Sequence, residues 1–205
     1  MDAVSRTTPE RARGRGQGAA RERILAAAAR LFAHQGINAT GMEQIAEAAP
    51  VSKRTLYAHF RTKGDLVLAH LQALASSGDT LEGVLTREDL GPRERILGLF
   101  DPPAAGAPGT ASVRGCPFID AAAEFPDPES PIHRYAREQK LRMVRLVTEL
   151  LEELGCPRPA ALAEQVVTLA DGVASRAMVL NQADYGRHAR AAAEVLLGQA
   201  LDGAG

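Results

Sequence analysis

Apolar side chains recur along this chain at steps of three and four, the period at which one stripe of an α-helix meets a core. Ile24, Leu25, Ala28, Leu31 and Phe32 form the first stripe, and Gly36 supplies the stop that a helix C-terminus favours. Met42, Ile45, Ala46 and Ala49 predict a short second helix, opened near Thr40 by a hydroxyl suited to capping and closed by Pro50. Ser52 is placed to cap a third helix. There Leu56 and Phe60 stand four apart and face inward, leaving Lys53, Arg54, Tyr57 and His59 to look outward. A fourth helix is expected from residues 64–65 through Leu66, Val67, Leu71 and Leu74 to about Ser77.

Shorter helical patterns follow at 82–85 and at 92–100, where Pro92 suits a first turn. Residues 101–115 hold three prolines and three glycines and read as a loop. A short apolar helix is expected at 117–125, closed by Pro126 and Pro128. A long one is expected at 131–154, with Leu141, Val144, Leu146, Val147, Leu150 and Leu151 on its apolar side, stopped by Gly155 and Pro157. Two last helices are predicted at 159–181 and 186–201. Residues 1–18 are Arg, Gly, Thr and Pro with almost no bulky apolar side chain, and are expected to form a flexible arm. Gly14, Gly16 and Gly18 do not make a dinucleotide loop, because no strand precedes them and the sixth position is Ala19.

Composition agrees with an all-α fold. Alanine, the best helix former, occurs 38 times, aromatics make up 4%, and tryptophan is absent. A hydrophobic fraction of 45% can build a core, yet no run of 18 apolar residues exists, so no membrane span is expected. Without an apolar segment behind Arg6, Arg11, Arg13 and Arg15, a secretory signal is not expected either, and a cytoplasmic location is. Cys116 and Cys156 are too few for a disulfide scaffold or a structural zinc site. Nothing basic adjoins Cys116 except Arg114, so it reads as an inert thiol rather than a redox switch. The net charge of −1 conceals an asymmetry: residues 1–63 carry +6 and residues 64–205 carry −7. A basic first third hints at nucleic-acid contact through one end.

Three short helices, the last two separated only by Ala49, Pro50 and Val51, predict a helix-turn-helix, which lays its third helix in a DNA major groove. The stretch from Ala19 to Leu71 resembles the DNA-binding region of the TetR family of bacterial transcriptional regulators. Its pattern is carried by Leu31-Phe32, Gly36, Thr40, Ile45-Ala46, Ala49, Val51-Ser52, Thr55-Leu56-Tyr57, His59-Phe60, Lys63 and Leu66. One departure is Pro50, where the family usually places glycine. Proline cannot supply the positive φ that glycine permits, so the turn is expected to differ slightly. The resemblance implies a phosphate contact for Thr40, through its hydroxyl or backbone, and a recognition helix opened by Ser52, Lys53, Arg54 and Thr55. Lys53 and Arg54 are then the candidates for base edges, and Tyr57, His59 and Lys63 for phosphate clamps. Arg11, Arg13 and Arg15 could reach the minor groove.

The same resemblance implies an organisation of three parts: the arm at 1–18, a helix-turn-helix domain at 19–64, and a helical effector-binding and dimerisation domain at 65–205. Candidate dimer residues are Val166, Leu169, Val173, Ala177, Leu180, Val195 and Leu196, because a lone recognition helix reads half an operator. Residues 114–140 resemble the effector domains of one TetR subgroup. Candidate ligand-lining residues are His70, Leu74, Phe100, Phe118, Ala122, Met143, Val147 and Met178, with Glu124, His133, Asp171 and Asn181 as further polar groups. The partners implied are a double-stranded DNA operator, a second copy of the chain and a small-molecule effector; no cofactor and no metal are expected. The function expected is a homodimeric repressor released from DNA by ligand. The alternative is a helical protein-binding adaptor that has lost DNA binding. Enzyme chemistry is not expected: the five histidines fall in no HExxH pattern, and neither a GxSxG elbow nor a phosphate loop occurs. Asp120 and Glu124 lie four apart, but no Glu–His pair accompanies them.

Overall fold

The computed structural model describes residues 10–78, 80–101, 115–182 and 185–202, with side chains from residue 18 onward, and every regular element among them is helical. Contacts divide the chain into two compact units, Met1–His70 and Leu71–Gly205.

In the first unit, α1 (Glu10–Gln35) buries Ala20, Ile24, Ala27, Ala28 and Phe32. It begins well before residue 19, so residues 10–18, expected as arm, form its first turns; residues 1–9 lie outside the described residues, as do the side chains of Arg11, Arg13 and Arg15. The helix stops where Gly36 takes φ 90° and its N–H reaches the Phe32 carbonyl at 3.0 Å. Next come α2 (Met42–Ala48), α3 (Lys53–His59) and α4 (Lys63–Ser76). Ile45, Ala46, Ala49, Leu56 and Phe60 are all buried, and they form the core on which α1, α2 and α3 pack. Helix α4 carries the chain across the division, which falls between His70 and Leu71 rather than ahead of the helix.

The turn between α2 and α3 keeps a shape that proline resists. The Val51 N–H donates to the Ala46 carbonyl at 3.0 Å, the long bond of a Schellman turn, which needs a left-handed residue just before the donor. That residue is Pro50, held at φ 22°, whereas its ring favours about −65°. The expected change of turn is therefore not what the structure shows: the turn is kept and the strain falls on Pro50. Proline also lacks the N–H that would make the turn's second bond.

The second unit contains α5 (Leu81–Leu85), α6 (Pro92–Leu97) running into a 3-10 turn (Gly98–Phe100), α7 (Pro117–Glu124), α8 (Pro131–Glu153), α9 (Pro159–Leu180) and α10 (Gly186–Asp202). Its core joins Leu85, Ile96, Phe100, Met143, Val147, Leu151, Val166 and Leu197, so five segments share one apolar interior. Helix α7 packs on α8, with Phe118 and Tyr135 tilted at 6.5 Å. Lys140 and Asp171 bridge α8 to α9, and Arg142 and Glu82 bridge α8 to α5 at 2.7 Å. Arg190 Nη1 donates to the Leu97 carbonyl at 3.0 Å and to Asp101 at 2.8 Å. There α10 starts so close to the 3-10 turn that a Cβ on Gly186 would lie 2.0 Å from the Phe100 carbonyl oxygen. Residues 102–114, most of the expected loop, lie outside the described residues.

Two predictions concern the first unit. Pro50→Gly relieves backbone strain of about 1–3 kcal/mol and restores an N–H, against about 0.5–1 kcal/mol of extra glycine entropy in the unfolded chain. Urea denaturation should therefore show a more stable protein, and a less stable one would mean that the ring's rigidity outweighs the strain. The second concerns His70, partly buried with its ring edge-on to Phe32 at 5.4 Å; burial pushes its pKa below the usual 6.5. Below about pH 6.5 the unfolded chain takes up this proton before the folded chain does, so stability falls as pH drops through that range. Melting at about pH 7.5 and about pH 5.5 should show a smaller loss of Tm for His70→Gln than for the wild type. Equal losses would place the acid sensitivity at other groups.

Candidate nucleic-acid interface

Helix α3 is seven residues long and is held at both ends. Ser52 caps it: its Oγ accepts from the Thr55 N–H at 3.0 Å and lies 2.8 Å from Thr55 Oγ1. At the far end Phe60 is buried, and the Arg21 guanidinium sits over its ring at 5.5 Å. With Leu56 fully buried between these anchors, Ser52, Lys53, Arg54, Tyr57 and Ala58 are exposed along the opposite side. Tyr57 is 47% exposed, more than packing within the unit would leave. Thr55 and His59 are half-buried at the edge, the His59 ring tilted against Phe60.

Helix α2 crosses behind α3 and is fixed by polar contacts that the hydrophobic pattern did not reveal. The Gly41 N–H donates to Gln44 Oε1 at 2.8 Å, and Gln35 Nε2 donates to Gln44 Oε1 and to Thr40 Oγ1, each at 3.2 Å. At the other end of α2, Arg23 and Arg30 of α1 reach the Ala49 and Ala48 carbonyls at 3.4 and 3.5 Å, cations placed where the helix dipole is negative. Glu43, on the exposed side of α2, pairs with Lys53.

The surroundings of Thr40 narrow its expected role. It is fully buried, its hydroxyl donating to the Gly36 carbonyl at 2.7 Å and accepting from Gln35, so the hydroxyl route to a phosphate is closed and only the backbone remains. Lys63 Nζ donates to the Asn38 carbonyl at 3.1 Å, which directs the ammonium along the α2 side of the unit while two donors stay open.

The candidate effector residues differ in burial and surroundings. His70 belongs to the first unit; Phe100, Met143 and Val147 are closed core of the second; Phe118 is buried beside Tyr135; Leu74 and Ala122 are half-buried, and Met178 is 37% exposed. Of the polar candidates, His133 Nδ1 lies 2.9 Å from the Phe125 carbonyl oxygen, Asp171 pairs with Lys140, and Asn181 ends α9 at φ 51°. Cys116 precedes α7 half-buried, Cys156 is buried, and Arg114 lies outside the described residues.

The candidate dimer residues split. Val166 and Ala177 are buried within their own unit and have no surface to give a partner. Val195 and Leu180 are 58% and 43% exposed, and Val173 is half-buried. Leu169, Val195 and Leu196, with Glu164, Gln165, Thr168 and Ala192, line an open groove of about 630 Å³ on α9 and α10. No cluster of three or more potential metal ligands occurs among the described residues, and no helix there is long and apolar enough to cross a membrane.

Comparison with known proteins agrees with this geometry. Residues 24–70 match the family of bacterial regulatory proteins named for TetR. The HTH-type transcriptional regulator YjdC of Escherichia coli is 29% identical over 177 residues, covering 86% of this chain and 93% of that protein. The HTH-type transcriptional activator FasR of Mycolicibacterium smegmatis is 48% identical over 52 residues, 25% of this chain and 24% of that one. Among solved structures, the TetR-family regulator SCO4454 of Streptomyces coelicolor superposes with a TM-score of 0.75 at 27% identity, over 90% of this chain and 97% of that one. By name, these relatives are transcriptional regulators. Residues 24–70 thus carry the DNA-binding region of the TetR family, and over nearly its whole length the chain is similar to a helix-turn-helix transcriptional regulator and shares the all-helical fold of a TetR-family one.

Proposed function

We propose that the protein is a homodimeric repressor that reads its operator through two copies of α3 and leaves it when a small molecule binds the second unit. The observation that carries the DNA-reading part is the exposed face of α3, where Lys53, Arg54 and Tyr57 lie opposite the buried Leu56. Arg54 is a base reader in this account beside Lys53, since a guanidinium can bond guanine O6 and N7 together. Tyr57, His59 and Lys63 are the phosphate contacts that set the register.

Pairing is supported by the α9–α10 surface. Val195 and the groove beside it are apolar and open, and a two-fold axis there would lay the same helices of two copies against each other. Repression is the family's more usual mode. The match to an activator covers only a quarter of the chain. An effector has to displace packed side chains, because Phe100, Met143 and Val147 are closed over one another. It acts only by preferring one spacing of the two readers, with the uninterrupted helix α4 as the connection.

Binding can be measured on a duplex that the protein itself selects from a randomised library, with a scrambled duplex as control. Arg54→Ala should cost the selected duplex about 1–3 kcal/mol and leave the scrambled one nearly unchanged. Equal losses on both would remove Arg54 from base reading. Lys63→Ala should weaken both duplexes alike and lower the salt slope by about 0.9. For pairing, Val195→Glu should convert a dimer to a monomer in light scattering at about micromolar concentration with unchanged helical circular dichroism. A dimer that survives the substitution places the interface off this face.

A further inference from the structure

The exposed side of α2 is acidic beside a helix that faces DNA. Glu43 and Glu47 stand one turn apart on it, and Glu43 Oε1 accepts a hydrogen bond from Lys53 Nζ. Both partners stay on the surface, the lysine side chain 62% and the glutamate side chain 67% exposed, so the pair adds little to folding. The Glu43 carboxylate, with smaller pulls from Tyr57 and Glu47, raises the Lys53 pKa, and the ammonium keeps its charge through neutral pH. Lys63, the other lysine of this unit, has a different partner: it donates to the neutral Asn38 carbonyl, with no carboxylate among the described residues paired to it by a salt bridge.

That difference has a chemical consequence at DNA. An unpaired ammonium at the head of a recognition helix is drawn to the nearest phosphate, which is charged, in preference to a base edge, which is not. Lys53 and Glu43 together have no net charge, and a phosphate approaching the ammonium also meets the carboxylate. A base edge meets no such repulsion. With one donor on Glu43, the ammonium keeps two for acceptors such as guanine O6 and N7, and the remaining carboxylate lone pairs can accept from a cytosine amino group. We propose that Glu43 is a specificity-determining residue, holding Lys53 to base edges and denying it to phosphates. The inference rests on the reading of α3 as the DNA-facing helix.

The test compares affinities for the selected and scrambled duplexes across a salt series, for the wild type, Glu43→Gln, Lys53→Ala and the double variant. Both side chains are exposed, so the substitutions leave the core intact, and a melt of each variant checks this. Glu43→Gln should bind the scrambled duplex about three- to tenfold more tightly, change the selected duplex by less than about twofold, and steepen the salt slope by about 0.9. Lys53→Ala should weaken the selected duplex alone, and adding it to Glu43→Gln should abolish the gain on scrambled DNA. Equal gains on both duplexes, a gain that survives without Lys53, or no change at all would overturn the proposal while leaving the wild type's own preference for its selected duplex intact. A wild type that selects no sequence would instead sink the reading of α3, and this inference with it.

Discussion

A helix of seven residues has too few internal hydrogen bonds to persist alone, so the exposed face of α3, the proposed reader of DNA, exists only because α3 is fastened to something larger. The fastening is one buried stripe. Leu56 and Phe60 are drawn into the interior made by α1 and α2, and their burial decides which way the rest of α3 looks. Lys53, Arg54 and Tyr57 face solvent as a consequence of that burial and not through any preference of their own. The Ser52 cap, the Arg21–Phe60 stacking and the Gln35–Gln44 contacts then remove the remaining freedom of α2 and α3. A reader of base edges needs this rigidity, because a bidentate contact tolerates little displacement.

The turn joining the two helices shows how far that requirement reaches. A Schellman turn joins α2 to α3 at Val51, between the buried side chains of Ala49 and Leu56. Pro50 is consequently held at a backbone angle its ring opposes. Local preference yields here because several buried side chains on both sides outweigh one strained residue. The second unit obeys the same rule with a larger interior, in which segments from α5 to α10 close over one core and ion pairs such as Lys140–Asp171 tie α8 to α9.

Much of the fold was legible because its signals are local. The spacing of Ile24, Ala28 and Phe32, the stop at Gly36, the cap at Ser52 and the prolines at 92, 117, 131 and 159 each act within a turn or two of chain, and the helices begin and end close to where they point. The start of α1 was less legible. Three glycines within residues 14–18 suggest an unstructured arm, whereas an alanine- and arginine-rich helix already nucleated downstream can propagate through them. Within the candidate site, the outward positions of Lys53, Arg54 and Tyr57 could be read from the inward pair Leu56 and Phe60, since one helical period relates them.

The sequence by itself determined the all-helical class, the order of the helices and the face that α3 turns outward, because periodicity and capping are properties of neighbouring residues. Tertiary structure alone decided what covers each face and which polar group finds a partner. Thr40 reads as a surface hydroxyl until Gly36 and Gln35 enclose it, and Val166 and Val195 look alike as apolar helical positions until one is fully buried and the other left open. Lys53 and Lys63 carry the same charge in the sequence, yet one meets a carboxylate ten residues away and the other a carbonyl twenty-five residues away. A helical period names a direction around an axis; the neighbour standing in that direction is set by how distant segments pack.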